Sequence, residues 1–209
     1  MKNQTTNVIY EKLNTLFERA ECELNFSNNF ELLVAVMLSA QCTDKRVNMV
    51  TKDLFKVYPN AEALAGADIK QLEQAIYSCG FYHNKAKNLI AMAKDLLVKF
   101  DGQVPEDFES LITLAGVGRK TANVVLAVGF GKQAIAVDTH VFRVSNRLGI
   151  VKANNPYKCE LALQKAVDKD KWSTLHHMLV LFGRYYCKSQ NPKCDGCILA
   201  QECKYYKGK

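Results

Sequence analysis

The sequence lacks three features that would indicate a β-sheet, a membrane span or an exported protein. No stretch alternates apolar and polar residues as a strand does, which favours an all-α fold. The longest apolar run, Leu32 to Leu38, is far shorter than the roughly 20 residues that cross a bilayer. The first six residues lack the apolar core and cleavage site of a leader peptide. We therefore expect an all-α protein of the cytoplasm with no membrane partner.

Composition sets the size of the core and the sign of the charge. The chain has 209 residues, of which 48% are hydrophobic, enough for one large domain or two small lobes. The net charge of +7 is compatible with a polyanionic partner or with an acidic partner surface, and does not choose between them. Disulfides are disfavoured in the cytoplasm, so the spacing of the eight cysteines has to be examined for metal ligation.

Apolar residues recur at helical spacing along most of the chain. The first helix should end near Cys22, Asn29 should cap a second, almost wholly apolar helix that ends at Leu38, and Pro59 should stop a third. Further helices are predicted at 69–76, 86–100, as a pair within 108–129, and at 156–167 and 172–186. The aromatic segment 81–85 is predicted to connect two helices as a loop.

Two glycines separate the paired helices within 108–129. Glycine at both Gly116 and Gly118 suits a tight turn with positive φ, and it leaves no Cβ to block the approach of another molecule. The amides that follow open the second helix and can form an anion site. By itself, this Gly-x-Gly pattern also fits an ordinary turn between antiparallel helices.

Arg119 and Lys120 place two cations in the first turn of that second helix, where carboxylates are preferred. A phosphate ligand would account for both. Partial burial, the helix dipole and the Arg119 charge would disfavour the ammonium form of Lys120 and favour a nucleophilic amine. Asp138 suits the N-cap of the next helix. The intervening chain is long enough for Asp138 to face Lys120 across a cleft, so that it could be both cap and catalytic group.

Four cysteines cluster at the C-terminus with the spacing C-x6-C-x2-C-x5-C: Cys187, Cys194, Cys197 and Cys203. Four thiolates suit either tetrahedral zinc or a [4Fe-4S] cube, and the spacing alone leaves both open. Six basic residues against two acidic ones lie within 184–209, including Lys188 and Lys193 between the first two cysteines. They are either a solvated tail or a phosphate grip.

These motifs together resemble a known family. The segment Gly116-Val117-Gly118-Arg119-Lys120-Thr121-Ala122-Asn123, followed by Val137-Asp138-Thr139-His140-Val141-Phe142-Arg143, closely resembles the helix-hairpin-helix DNA glycosylases of the endonuclease III family. The resemblance covers nearly the whole chain and includes the cysteine spacing. The chain departs from the family pattern at Ala115, where Pro is usual before the first glycine, and at Phe81, where Leu is usual.

The resemblance implies a bifunctional DNA glycosylase and abasic-site lyase that excises oxidised pyrimidines in base excision repair. Lys120 would attack C1′ of a flipped nucleotide and form a Schiff base that permits β-elimination, while Asp138 takes up a proton or stabilises positive charge. The four clustered cysteines would hold a structural [4Fe-4S] cluster. A water-using relative such as the adenine mismatch glycosylase, which lacks this lysine, and an inert module that only grips DNA backbone are the rival readings.

The resemblance also implies the partner and the residues that contact it. The partner would be double-stranded DNA with damaged pyrimidines or abasic sites, bound by a nucleoid-associated monomer. Two lobes are implied, a helical bundle at 23–132 and a terminal domain from 1–22 plus 133–209. Gln41 would fill the gap left by the flipped nucleotide. The other implied DNA contacts are Phe81, Gly116, Gly118, Arg119, His140, Lys188 and Lys193.

Overall fold

A computed structural model of the chain describes residues 4–18 and 20–208. No strand occurs in these ranges, so the prediction of an all-α fold is confirmed. Residues 1–3, which belong to the segment in which we expect no leader peptide, and Lys209 of the basic tail lie outside the described residues. No helix within the described ranges is long and apolar enough to cross a membrane.

Twelve α-helices are found in the described part of the chain. They are α1 Gln4–Leu16, α2 Asn29–Leu38, α3 Asp44–Val57, α4 Ala61–Ala65, α5 Ile69–Ile76, α6 Tyr82–Phe100, α7 Phe108–Leu111, α8 Arg119–Gly129, α9 Thr139–Leu148, α10 Pro156–Ala166, α11 Trp172–Tyr185 and α12 Lys204–Lys207. The chain divides into two compact units: a central unit, Glu23–Gly131, and a terminal unit, Met1–Cys22 with Lys132–Lys209.

The central unit is built around α2, which is apolar on every side beyond its first turn. Phe30 and every residue from Leu32 to Leu38 are buried. Such a helix has to be covered on all sides, and α3, α6 and α8 pack against it. The approach of α8 is close, because a Cβ on Gly129 would lie 2.5 Å from Oδ1 of Asn29 and 2.9 Å from Leu32. A side chain at 129 would force Asn29 or Leu32 to shift, so glycine allows α8 to lie close to α2.

The terminal unit has a separate hydrophobic core. α9 and α11 are its main helices, and α1 packs against α11. Its largest buried side chains include Phe182, Ile9 and Leu13. The side chain of Lys12 joins α1 to the C-terminal segment through an ion pair with Glu202 at 3.0 Å. The first and last parts of the chain thus belong to one packed unit.

Four local predictions are wrong in detail. α1 ends at Leu16 and not near Cys22. The Thr15 hydroxyl bonds the Glu11 carbonyl at 3.0 Å, which weakens the helix there. Phe17 and Ala20 nevertheless pack on the core of the terminal unit from non-helical backbone, which is why the apolar period runs past the helix. Asn28, not Asn29, is the N-cap of α2.

The other two errors concern short or irregular segments. α4 was not predicted, because five residues are too few to show a helical period. The segment from Tyr82 to Lys85 forms the first turn of α6 and is not a loop. The amide of Lys85 donates to the Phe81 carbonyl at 3.0 Å, so the helix begins as soon as Phe81 has been passed.

The N-terminus of α2 offers a direct test of these assignments. Asn28 Oδ1 accepts the Glu31 amide at 2.9 Å, and the Glu31 carboxylate accepts the Ser27 amide at 2.6 Å. Asn28→Ala should therefore lower the free energy of unfolding by about 1 kcal/mol, the usual cost of losing a side-chain cap. Urea denaturation measures the change. Asn29→Ala is the matched control and should cost less; the reverse order would contradict the assignment of the cap.

Candidate functional site

The turn between α7 and α8 depends on one glycine for its backbone conformation. Gly116 has φ of +74°, a region that L side chains rarely adopt. An added Cβ would also lie 2.8 Å from Cβ of Asn88 on α6. Val117 is buried, and its amide donates to the Leu114 carbonyl at 3.1 Å. Gly116 is therefore required by the fold itself.

Gly118 differs from Gly116, and the prediction of positive φ at this position is wrong. Its φ is −95° and its ψ 176°, extended backbone that other residues adopt readily, and it is the N-cap of α8. A Cβ added to Gly118 would meet nothing within 4 Å. The backbone turns at Gly116 alone, so Gly118 is free to lie extended. The packing of the protein does not explain a glycine at this position.

The first turn of α8 contains no acidic residue and carries two cations. The guanidinium of Arg119 lies over the ring of Phe108 on α7, 4.5 Å from its centroid. Lys120 is exposed, so the expectation that the protein partly buries it is wrong. The amides of this turn still lack acceptors within their own helix, and they lie beside the open position of Gly118. The arrangement presents an exposed amine next to a site suited to an anion.

An ion pair on α6 supports the turn between α7 and α8, and the sequence analysis did not predict it. Asp95 accepts the Ala115 amide at 2.9 Å and pairs with Lys99 at 2.8 Å. Lys99 also donates to the Thr113 carbonyl at 3.2 Å. The hydrogen bond from Lys99 has the largest effect on Asp95 and lowers its pKa; burial opposes it, and the hydrogen bond from Ala115 and the charge of Lys99 add smaller decreases. The i,i+4 spacing of Asp95 and Lys99 was the available signal.

Gln41 and Phe81 share an unusual backbone conformation. Gln41 has φ of 54° and Phe81 has φ of 49°, both in the left-handed region, and both side chains are exposed. Asp101 and Asn191 are the other non-glycine residues with positive φ in the described ranges. Asp and Asn tolerate this region, whereas Gln and Phe rarely occupy it. Strain of this kind at exposed positions is typical of functional loops.

Asp138 is the N-cap of α9, as predicted. Its Oδ1 accepts the Val141 amide at 2.8 Å. The residue is half-buried in the terminal unit, whereas Lys120 belongs to the central unit. His140 follows in the first turn of α9 and is also half-buried, with Nδ1 3.2 Å from the guanidinium of Arg143.

The four clustered cysteines line one cavity of the terminal unit, together with Leu148, Phe182 and several tyrosines. Cys203 is buried and the other three are half-buried. Burial raises the pKa of Cys197, a hydrogen bond from the Leu199 backbone opposes this, and the other three thiols of the cluster add smaller increases. Among the described residues, no three His, Cys, Asp or Glu side chains converge closely enough to hold a single metal ion.

Two arginines on α9 hold the segment that carries these cysteines. Arg143 donates to the carbonyls of Cys187, at 3.0 and 3.1 Å, and Gly183, at 2.9 Å. Arg147 donates to the carbonyls of Lys188 at 2.7 Å and Ser189 at 2.9 Å. Sequence reasoning missed both residues. Their i,i+4 spacing places them on one face of the helix that Asp138 caps, and this was the only signal.

Lys188 and Lys193 are exposed in the loop between Cys187 and Cys194. The Lys193 amide approaches the Tyr186 carbonyl at 3.5 Å, and Arg147 fixes the loop at Lys188. The backbone of the loop is therefore held by the terminal unit while both ammonium groups face solvent. The loop can present two cations to a polyanion.

Comparisons with known proteins identify the relatives of the chain. Residues 34–169 match the HhH-GPD superfamily base excision DNA repair protein family. Endonuclease III of Bacillus subtilis (strain 168) is 50% identical over 195 residues, which cover 93% of this chain and 89% of that protein. Endonuclease III of Escherichia coli (strain K12) is 45% identical over 183 residues, which cover 88% and 87% of the two chains.

Solved structures lead to the same family. A trapped endonuclease III–DNA covalent intermediate, an estranged-adenine complex, matches with a TM-score of 0.95 and 45% identity over 100% of this chain and 98% of that chain. A thermostable thymine-DNA glycosylase shares the fold, with a TM-score of 0.88 and 24% identity over 99% of both chains. The chain belongs to the HhH-GPD superfamily of base excision DNA repair proteins and, within it, to the endonuclease III family.

Proposed function

We propose that this chain removes oxidised pyrimidines from duplex DNA, with Lys120 as the nucleophile and Asp138 as its catalytic partner. The activity class follows from the family: the chain is a DNA glycosylase and abasic-site lyase of base excision repair. The observation that supports Lys120 is its position, exposed in the first turn of α8 beside the open space at Gly118. An endonuclease III trapped covalently on DNA is consistent with an enzyme nucleophile.

The proposed reaction starts at C1′ of a nucleotide that has left the stack. The neutral amine of Lys120 forms a bond to C1′ as the bond to the base breaks, and the base leaves with the bonding electrons. The new ammonium loses a proton, and the sugar ring then opens: the bond from C1′ to O4′ breaks, O4′ takes up a proton, and a protonated imine forms between C1′ and the lysine nitrogen. Removal of a C2′ proton then expels the 3′ phosphate by β-elimination.

Asp138 would act on charge in this sequence. Its carboxylate can take up the proton released from the amine, or it can stabilise the positive charge that develops on the sugar. The N-cap bond to Val141 uses Oδ1, and a carboxylate carries a second oxygen that can serve the substrate.

The DNA contacts follow from the exposed positions. The first-turn amides of α8 and the side chain of Arg119 would bind backbone phosphate, and the absence of a Cβ at Gly118 lets the strand approach. Gln41 and Phe81 would enter the duplex where the flipped nucleotide was stacked. His140, Gly116, Lys188 and Lys193 would complete the contact, the two lysines as a phosphate grip. The proposed enzyme acts as a monomer on nucleoid DNA in the cytoplasm.

The cysteine quartet fits a [4Fe-4S] cluster in this proposal. Four thiols around the wall of one cavity suit a cube, because its irons lie at separate corners and each needs one thiolate. Cys187, Cys194, Cys197 and Cys203 would hold it. Its role would be structural, since base removal needs no electron transfer, and it would fix the loop of Lys188 and Lys193 against α9.

Borohydride trapping tests the role of Lys120. A Schiff base is reducible, so borohydride added during turnover should leave a covalent protein–DNA adduct. Lys120→Gln removes the nucleophile and should abolish both the adduct and strand cleavage, with DNA binding within about threefold of wild type. Denaturing electrophoresis measures both products. Base excision without an adduct in the wild type would instead favour a water-using mechanism, and an adduct in the variant would move the nucleophile elsewhere.

Asp138→Asn separates catalysis from capping, because Asn caps a helix about as well as Asp. Because the cap is kept, the thermal midpoint should stay within about 2 °C of the wild type. Loss of the cap would cost about 1 kcal/mol and would lower the midpoint of a protein of this size by a few degrees. Base excision should slow by roughly 100-fold or more if the carboxylate stabilises charge. Cleavage at pre-formed abasic sites should slow less, because no base has to leave. Equal slowing of both steps would argue against this role.

Metal analysis tests the cluster. Protein purified aerobically should be brown, with about four irons per chain and broad visible absorbance from thiolate-to-iron charge transfer. Cys197→Ala should lower the iron content, whereas Cys22→Ala, which removes a cysteine outside the quartet, should leave it unchanged. A colourless protein with one zinc per chain would rule out the cube.

A further inference from the structure

Lys85 is a buried cation in the central unit that the proposed chemistry does not use. It lies in the first turns of α6 and is 8% exposed. Its Nζ donates to the carbonyl of Leu38 at 2.8 Å and to the carbonyl of Cys79 at 2.8 Å. The two acceptors lie 47 and 6 residues away along the chain. One side chain therefore links two segments that are distant in sequence.

Both acceptors lie at the base of a loop that carries a proposed insertion residue. Leu38 is the last residue of α2, and Gln41 follows three positions later. Cys79 ends the 3-10 helix Tyr77–Cys79, and Phe81 follows two positions later. We name the segments 39–43 and 80–81 the two insertion loops. Gln41 and Phe81 are the residues at which these loops enter the left-handed region.

Packing alone does not explain a lysine at this position. Burial lowers the pKa of Lys85, against a smaller opposing effect of the Cys79 and Cys42 thiols, so the site disfavours the charged group. Methionine has a similar shape and would fill the same space without that cost. What methionine cannot do is donate to two carbonyls at once. The ammonium group is the feature that distinguishes this residue from a core side chain.

The thiols of Cys79 and Cys42 near Lys85 do not form the link between the two loops. Burial and, secondarily, the Cys42 thiol raise the pKa of Cys79 to about 11, so Cys79 is a neutral thiol at pH 7. Lys85 contacts the backbone carbonyl of residue 79, which any amino acid supplies. Cys79→Ala therefore keeps both acceptors and serves as a control for changes to the thiol alone.

We propose that Lys85 is a positioning residue that ties the two insertion loops together, so that Gln41 and Phe81 enter the duplex as one unit. The coupling rests on the two hydrogen bonds. Its consequence for DNA rests on the proposed function, which assigns insertion to Gln41 and Phe81. The loops lie at opposite ends of the link, and each contains one residue, Gln41 or Phe81, in a backbone conformation that its residue type does not favour. Without the link, both loops should relax independently.

The first experiment measures the coupling without DNA, by amide hydrogen exchange. In the folded protein the Cys42 amide donates to Ser39 and the Gly80 amide to Tyr77, one reporter in each loop. Lys85→Met should speed exchange at both amides at least tenfold. Lys85→Gln introduces a shorter neutral donor and should speed exchange at both amides at least threefold. It is the milder variant and takes the place of Lys85→Met if that variant does not fold. Leu89→Ala removes a buried side chain one turn further along α6 and controls for a general loss of stability. Each variant is measured at the same number of degrees below its own thermal midpoint.

Faster exchange in one loop only, or equal acceleration by Leu89→Ala, would overturn the coupling. This result does not depend on any DNA chemistry.

The second experiment measures insertion with a duplex that carries a tetrahydrofuran abasic analogue opposite 2-aminopurine. Insertion unstacks the opposite base, so saturating wild-type protein should raise its fluorescence. Lys85→Met should lose at least half of that rise at saturation, while Cys79→Ala and Leu89→Ala keep it. A full rise with Lys85→Met would overturn the role in insertion.

Failure of the proposed function gives a different pattern. If Gln41→Ala and Phe81→Ala leave the fluorescence rise unchanged, the assignment of insertion to these residues is wrong, whatever Lys85→Met does in hydrogen exchange.

Discussion

The central unit depends on one constraint, the burial of α2 beyond its first turn. A helix without a polar side cannot face water anywhere, so three other helices have to surround it. This requirement explains the glycine at 129, which allows α8 to approach α2 closely. It also fixes the position at which the chain leaves α2. The chain leaves α2 directly into the loop of Gln41. The position of Gln41, which we propose as a DNA contact, therefore follows from the burial of the most apolar segment.

Helix α6 connects the buried core of the central unit to the exposed loops that we propose contact DNA. Along its length it supplies Lys85 to the two insertion loops, Asn88 against Gly116, and the pair of Asp95 and Lys99 to the base of the turn before α8. None of these residues is proposed to touch a reacting atom. They hold exposed loops in conformations that those loops would not keep alone, which is how a site can be both accessible and ordered.

The terminal unit uses the same principle with different chemistry. α9 begins at the cap Asp138 and continues through Arg143 and Arg147, whose guanidinium groups hold the backbone around Cys187. Gly183 permits the approach of α11, because a Cβ there would lie 2.8 Å from Cβ of His140. One helix thus orders both the proposed catalytic carboxylate and the start of the cysteine segment.

The sequence by itself determined the features that depend on neighbours along the chain. The helical period predicted the all-α fold, the residue type before Thr139 predicted the cap at Asp138, and the spacing of two glycines located the turn before α8. Tertiary structure decided what depends on distant contacts. It separated Gly116 from Gly118, ended α1 at Leu16, set the left-handed conformation of Gln41 and Phe81, and paired Lys85 with a carbonyl 47 residues away. Periodicity and capping act within a few residues, whereas a buried hydrogen bond between remote segments leaves no local pattern to read.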